Sequence, residues 1–340
     1  LGGFSNGEMA RTAGSTLKLY RARLFLRQTW QREGDRETVE SDFNQLGGSV
    51  SRRRWVLTAG NLSVADLFDD NRYSHDARTQ FLNWSLVSQG AYDFAADARG
   101  YTWGAALAWH HDDWALRIGR FLQPREPNQQ SLDTRIFRHY GDQIEVERAH
   151  ALGGQPGKVR LLAFRNRARM SRFDDALALG RRTGTTPDLN AVRDGDQSKW
   201  GVGLNVEQAI DDDVGLFGRA SWADGRTETY AFTEIDRSLS TGIVIEGRRW
   251  QRGDDSVGFA LVRNGLSRER RSYLAAGGLG FFIGDGRLDY RPEQILETWY
   301  SLGLARGSWL TLNWQHIRHP AYNAARGPVN FLALRLHVEI

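Results

Sequence analysis

Apolar and polar residues alternate with a period of two along most of this chain. Asn330–Ile340 sets Leu332, Leu334, Leu336, Val338 and Ile340 against Phe331, Ala333, Arg335, His337 and Glu339, the signature of a strand with one apolar and one polar face. Thr16–Trp30 sets Tyr20, Ala22, Leu24 and Leu26 against Arg21, Arg23 and Arg27. The same alternation marks Tyr101–Trp109, Trp114–Phe121, Asp142–Ala151, the stretches around Trp200–Glu207 and Val214–Trp222, and those around Leu296–Leu304 and Leu310–Gln315. Less regular strands are predicted at Phe43–Ser51, Arg54–Gly60, Lys158–Arg167, Arg237–Trp250 and Ser256–Asn264. No amphipathic helix longer than a few turns is present, so the fold class is all-β.

The connections say which kind. Short turns at Ser51–Arg53, His110–Asp113, Leu152–Gly157, Ile210–Asp213, Gln251–Asp255 and Ala305–Gly307 alternate with long polar loops. The loops are Gln31–Asp42, Asn61–Gly100, Leu122–Gly141, Ala168–Ser198, Ala223–Asp236, Gly265–Pro292 and Arg318–Val329. A soluble sandwich has no reason to alternate in this way. A transmembrane antiparallel β-barrel does, with short periplasmic turns on one rim and long external loops on the other. Fourteen strands are clear, with both termini periplasmic, and a further pair inside Asn61–Gly100 or Gly265–Pro292 would make sixteen. The whole of 1–340 then forms one barrel domain.

Composition narrows the reading. Hydrophobic residues are 40% of the total but 11% are aromatic, with 12 Trp, as suits a wet lumen and a narrow lipid face. Trp109 and Trp114 bracket one short turn and Trp309 follows another, where an interfacial girdle is expected. No apolar run reaches the roughly 18 residues of a transmembrane helix. With no Cys, disulfides and thiolate metal sites are out of consideration. The net charge of +4 is spread as Arg interspersed with Asp and Glu, without the basic block that nucleic acid would require. No signal peptide precedes Leu1, so the chain reads as a mature or truncated form.

Asn61–Gly100 reads NLSVADLFDDNRYSHDARTQFLNWSLVSQGAYDFAADARG, followed by YTWGAALAW and DWALRIGRF. Later come GQPGKVRLLAF, GGLGFFIGDG, RPEQILETWYSLGL, HPAYNAARG and GPVNFLALRLH. This ordered series resembles the carbohydrate-selective porin family of the OprB type over nearly the whole chain. The resemblance implies a sixteen-stranded, integral barrel of the bacterial outer membrane that passes monosaccharides, notably glucose, by diffusion. The implied partners are monosaccharides, outer-membrane lipid and lipopolysaccharide, the barrel-assembly machinery during biogenesis, and a second copy of the chain if the barrel is a homo-oligomer. Nucleic acid is not among them. Strands that close such barrels end on Phe or another aromatic residue, whereas this chain ends on Ile340.

A sugar pore needs hydrogen-bonding groups and aromatic faces in its lumen, not a nucleophile. Arg21, Arg23, Arg117, Arg219 and Arg335 supply forked donors, and Glu145, Glu147 and Glu297 supply acceptors and counter-charges. Asn205, Asn313 and Gln315 add neutral partners, with Phe217 and Trp299 as stacking platforms. Asp69, Asp70 and Arg72 lie in FDDNRYSHD (Phe68–Asp76), a stretch too polar to face lipid and suited to line a neck if its loop folds inward. Packing of that loop against the wall without solute contact is the alternative. No catalytic residue, metal ligand or cofactor is expected. His110-His111-Asp112-Asp113 places neighbours on opposite strand faces. Gly277–Gly286 lacks phosphate-loop spacing, and no Ser occupies a G-x-S-x-G elbow. Glu145 and Glu147 share a strand face about 7 Å apart, which a charged lumen wall explains more simply than a glycosidase pair. A non-conducting surface barrel that binds carbohydrate, and an outer-membrane hydrolase, are the competing functions.

Overall fold

A computed structural model describes residues 2–7, 19–41 and 44–339. Among them the wall is one antiparallel sheet of 13 strands. Its strands are β1 (Leu24–Gln31), β4 (Arg53–Leu62), β5 (Thr102–His111), β6 (Trp114–Leu122), β7 (Tyr140–Leu152), β8 (Gln155–Arg169), β9 (Asp196–Ala209), β10 (Val214–Ala223), β11 (Arg237–Glu246), β12 (Ser256–Gly265), β13 (Glu293–Ala305), β14 (Ser308–Arg318) and β15 (Val329–Val338). From β4 onward each strand pairs with the next in sequence, and β1 pairs with β4. The remaining strands, β2 (Arg36–Val39) and β3 (Gly48–Ser51), pair only with each other. The described part of Phe43–Ser51, expected as a wall strand, therefore contributes to a small hairpin in the β1–β4 connection.

The alternation sorts side chains as period two requires. Leu332, Leu334, Leu336 and Val338 are 55–75% exposed on the outer face, while Arg335 on the inner face reaches the carbonyls of Ala77 and Gln80. Across neighbouring strands the register keeps the apolar rows together, with Leu312 opposite Leu334 and Trp314 opposite Leu332. This band of exposed Leu, Ile and Val is the surface an integral barrel offers to lipid.

Tryptophans mark its two edges. Trp55 and Trp109 stand opposite each other at the rim of short turns, with Trp114 nearby under the Arg148 guanidinium. Trp103, Trp200, Trp222 and Trp314 point outward at the rim of long connections. Trp103 and Trp109 lie six residues apart on β5, about 20 Å at the rise of a strand, close to the height of an apolar barrel band. Trp309 departs from the expected girdle. It is in register with Thr311 and Asn313 on the inner face, and its Nε1 donates to the Asp254 carbonyl at 3.1 Å.

Neither long connection hides a strand pair. The β4–β5 connection carries the one-turn helix α1 (Trp84–Val87), and the β12–β13 connection carries α3 (Arg268–Ala275), while α2 (Phe173–Thr183) lies between β8 and β9. Thirteen antiparallel strands are an odd number, so β1 and β15 run in the same direction. Among the described residues no pairing joins them. The expected closure of Asn330–Ile340 onto a strand beginning near Thr16 is not made by the described parts of those strands, residues 16–18 and Ile340 lying outside them. In addition, β1 starts at the long-connection rim, where Leu24 pairs with Asn61, not at the short-turn rim expected for both termini.

Candidate functional site

The β4–β5 connection, residues 63–101, folds into the space the sheet encloses. Its backbone and side chains touch the inner faces of β7 (Glu145), β9 (Asn205), β10 (Arg219), β13 (Glu297), β14 (Gln315) and β15 (Arg335). One insert meets strands from the middle of the sheet to its end, so the sheet wraps around it.

Apolar packing seats the insert. Phe68, Phe81, Leu86, Tyr92 and Phe94 are buried against wall residues that include Phe121, Phe164, Phe217 and Trp299. Glycines on the inner face make room. A Cβ on Gly215 would stand 2.0 Å from the Tyr73 ring, and one on Gly203 would stand 1.3 Å from Gln89 Oε1. Irregular backbone buried in this way must find partners for its N–H groups, and wall carboxylates supply them. Glu145 accepts from Asp69 N at 2.7 Å and Glu207 from Arg72 N at 2.9 Å. Glu297 accepts from Leu82 N at 2.6 Å and Asn83 N at 3.0 Å.

Asp93 does the reverse, offering a carboxylate from the insert to its surroundings. It accepts the N–H groups of Tyr230, Ala231 and Phe232 at 2.8–2.9 Å and the Lys199 ammonium at 3.1 Å. Burial pushes the Asp93 acid upward, but Lys199 and the three N–H groups outweigh it and hold the carboxyl below its ordinary range.

A ladder of charges joins wall and insert. Arg117 Nη1 donates to Glu145 at 3.0 Å and Glu147 at 3.1 Å. Arg160, fully buried, donates from Nε to Glu147 at 2.7 Å and from Nη1 to Glu207 at 2.9 Å. Its Nη2 reaches Asp70 on the insert at 3.4 Å. Arg219 closes on Asp69 at 3.2 Å beside Asn205, whose Nδ2 donates to Asp69 Oδ1 at 2.6 Å.

Most of the inner-face residues expected to meet a solute thus meet the insert instead. Glu297, Asn313 and Gln315 bind Leu82 and Asn83 or brace one another. Phe217 and Trp299, expected as stacking platforms, are each 3% exposed and packed against Phe81, with centroids at 5.4 and 5.8 Å. They present no free face. Arg23 binds Asp66 at 2.8 Å and lies over Tyr101. Arg21 is outside the lumen altogether: its guanidinium sits 5.1 Å from the ring of Trp103, which points outward. Among the groups left open to solvent are Asp70, with its side chain 63% exposed, Arg72, and Lys158, whose ammonium is 3.8 Å from Glu147.

Sequence reasoning passed over Lys158, Arg160, Glu207, Lys199 and Asp93. On β8 the inner face carries Lys158 and Arg160 and then Leu162 and Phe164, which pack the insert, while the outer face carries Leu161 and then Arg165. With both faces mixed, alternation does not separate them. A Glu–Asn–Lys row on the β9 face that holds Glu207, Asn205 and Lys199 was the readable clue.

Two further features frame the insert. Residues 2–7 lie beside it, with Trp84 N donating to Phe4 O at 3.0 Å and Gly2 N to Glu293 at 3.0 Å. Near the rim, connections β6–β7 and β8–β9 enclose a space of about 600 Å³ bordered by Arg125, Asp133, His139, Asn190 and Arg193. A hydrogen bond from Arg135 holds the Asp133 carboxyl well below its ordinary range. Among the described residues no group of three His, Asp or Glu is arranged to hold a metal ion. His110 points inward, His111 outward, and Asp112–Asp113 make the turn.

Comparison with known proteins adds family and fold. The family model described as carbohydrate-selective porin, OprB family, matches residues 5–340. The high-pH structure of Pseudomonas putida OprB superposes with a TM-score of 0.67 at 16% identity, covering 84% of this chain and 69% of that one. The low-pH structure of the same protein gives a TM-score of 0.46 at 12% identity, covering 84% and 62%. Pseudomonas aeruginosa OccK5 (OpdH) gives 0.40 at 10% identity, covering 84% and 79%. No curated protein matches the sequence.

Proposed function

The chain belongs to the carbohydrate-selective porin, OprB family, and from that premise we propose that it is an outer-membrane pore for passive diffusion of monosaccharides such as glucose. The long-connection rim faces outward from the cell and β15 ends on the periplasmic side. The residues 63–101 form the constriction. Asp70, Arg72 and Lys158 are the groups that meet the solute, and Arg117, Glu145, Glu147, Asn205, Arg219, Glu297, Asn313, Gln315 and Arg335 hold the constriction in place.

The observation that carries this reading is the insert itself. A loop pinned to the wall by buried ion pairs and carboxylate–backbone bonds leaves a few exposed charges of both signs beside Arg160 and Glu207. Opposite charges side by side orient a polyhydroxylated neutral solute through donors and acceptors without trapping an ion. Weak, multi-point contact of this kind suits diffusion, in which a solute must leave as readily as it enters.

The extent of the packing also favours a second reading, a surface barrel that holds carbohydrate without conducting it. Reconstitution into planar bilayers separates the two. Stepwise conductance that falls on adding glucose, but not on adding a non-sugar of similar size, is the outcome expected of the porin. No conductance at all would overturn it in favour of the second.

A further inference from the structure

The outer face of the wall carries a basic recess at the long-connection rim. Trp200 on β9, half exposed, and Trp222 on β10 both point outward, their rings 4.7 Å apart and tilted by 57°. Arg237 opens β11 on the same face with its guanidinium 4.8 Å from the Trp222 ring. Just beyond the strand ends, Arg226, Arg268 and Arg271 complete a recess of about 400 Å³. Asp224 and Glu269 are its only carboxylates, so four guanidiniums leave an excess of two positive charges. Below the Trp pair the outer face is apolar, with Val202, Leu204 and Leu216 exposed.

At the opposite rim several arginines are matched one to one with aspartates. There Arg53 closes on Asp112 and Arg52 on Asp113, while Arg248 closes on Asp213 and Arg249 on Asp211. Neither Arg226 nor Arg268 closes a salt bridge among the described residues, and both are exposed. Exposed arginines without a salt bridge among the described residues occur at the short-turn rim too, as Arg32, Arg148 and Arg306. In this recess, however, four guanidiniums stand together, above paired indoles that sit where hydrocarbon gives way to headgroups.

We propose that this recess binds the phosphorylated headgroup of lipopolysaccharide in the outer leaflet. The arginine forks would bind phosphate oxygens through paired, charge-assisted hydrogen bonds, and the acyl chains would lie along Trp200, Trp222 and the apolar rows beneath them. Free phosphate uses only half of this site, because it has nothing to place against the indoles. The assignment rests on the reading that the long connections are external.

The test uses the detergent-purified full chain and native mass spectrometry. The probes are bisphosphorylated lipid A, its dephosphorylated form, phosphatidylglycerol and inorganic phosphate. Lipid A adducts are expected on the wild type and at least tenfold weaker on Arg226→Ala/Arg268→Ala, with Arg248→Ala/Arg249→Ala at the other rim unchanged. Heat-modifiable migration on gels checks that each variant is folded. Equal binding of lipid A by the Arg226→Ala/Arg268→Ala variant, or equal binding of the dephosphorylated lipid, overturns the site. Phosphatidylglycerol or inorganic phosphate binding as tightly as lipid A overturns lipopolysaccharide as its occupant. Orientation has its own readout, since the chain has no Cys. Arg182→Cys on intact cells should react with a membrane-impermeant maleimide. No reaction overturns the outer-leaflet assignment while leaving sugar conductance in bilayers untouched.

Discussion

Arg219 reaches from the wall to Asp69 on the insert, with Nε 3.2 Å from Oδ1 and both side chains no more than 1% exposed. Asp69 also accepts from Gln89 N at 2.6 Å and Ser88 Oγ at 2.8 Å, and its backbone is left-handed at φ 62°. Removing one member of a buried pair strands the other charge, at a cost of about 3 kcal/mol. Asp69→Ala should therefore lower the thermal midpoint and free the insert from β10. Single-channel records should show larger and noisier conductance. A variant with the wild-type conductance level would mean that this pair does not hold the constriction.

Asp70 and Arg72 are expected to act through charge, not stability. Asp70 is largely exposed and reaches Arg160 only at 3.4 Å, so exposed substitutions here should change stability by no more than about 0.5 kcal/mol. Asp70→Asn should shift the reversal potential in a salt gradient toward anion preference, and Arg72→Gln toward cation preference. Movement in the same direction for both would place at least one of them away from the ion path.

How much of this was legible depends on what each residue touches. The apolar rows of β15 and β13 could be read from alternation, because nothing else in the chain covers most of their outer faces. From β4 onward the two rims could be read from connection length. Gln31–Asp42, however, expected among the long external loops, lies at the short-turn rim, where Gln31 pairs with Arg54 and Glu37 meets the Arg54 guanidinium. The inner face is another matter. Glu297, Asn313 and Trp299 do point inward as their register demands, but period two does not say what fills the space they face. The answer is residues 63–101, whose Leu82 bonds Glu297 from 215 positions away in sequence. The same limit explains Arg160, whose three carboxylate partners come from β7, β9 and the insert. Arg21 was misjudged for a local reason: the chain leaves strand geometry before Leu24, so parity no longer fixes its side.

Close approach between Gly215 and Tyr73 gives a steric test of the insert's seat. A Cβ at Gly215 would overlap the phenol ring, which has no flexible end to yield, at 2.0 Å, whereas one at Gly218 would find its nearest neighbour at 3.7 Å. Gly215→Val should push residues 69–76 off β10 and raise conductance, and Gly218→Ala should leave conductance near the wild-type level. Equal behaviour of the two variants would show that the insert is not seated by this contact.

Acid should loosen the short-turn rim at a defined carboxylate. The Asp255 carboxyl is held down at about 2, chiefly by a hydrogen bond from Arg252 Nε at 2.6 Å, with Gly303 N donating at 2.9 Å and Tyr300 also bonded. Its folded value lies below the unfolded value of about 3.9. The stabilisation is therefore complete above about pH 4 and lost as pH falls toward 2. Neighbours cover the carboxylate, but the turn is thin and Arg252 is half exposed, so solvent screening limits the contribution to about 1 kcal/mol. Asp255→Asn should lower stability by that amount at pH 7, measured by heat-induced unfolding in detergent, and the gap from wild type should close near pH 2. A gap that persists at pH 2 would assign the loss to packing of the turn and not to the charge.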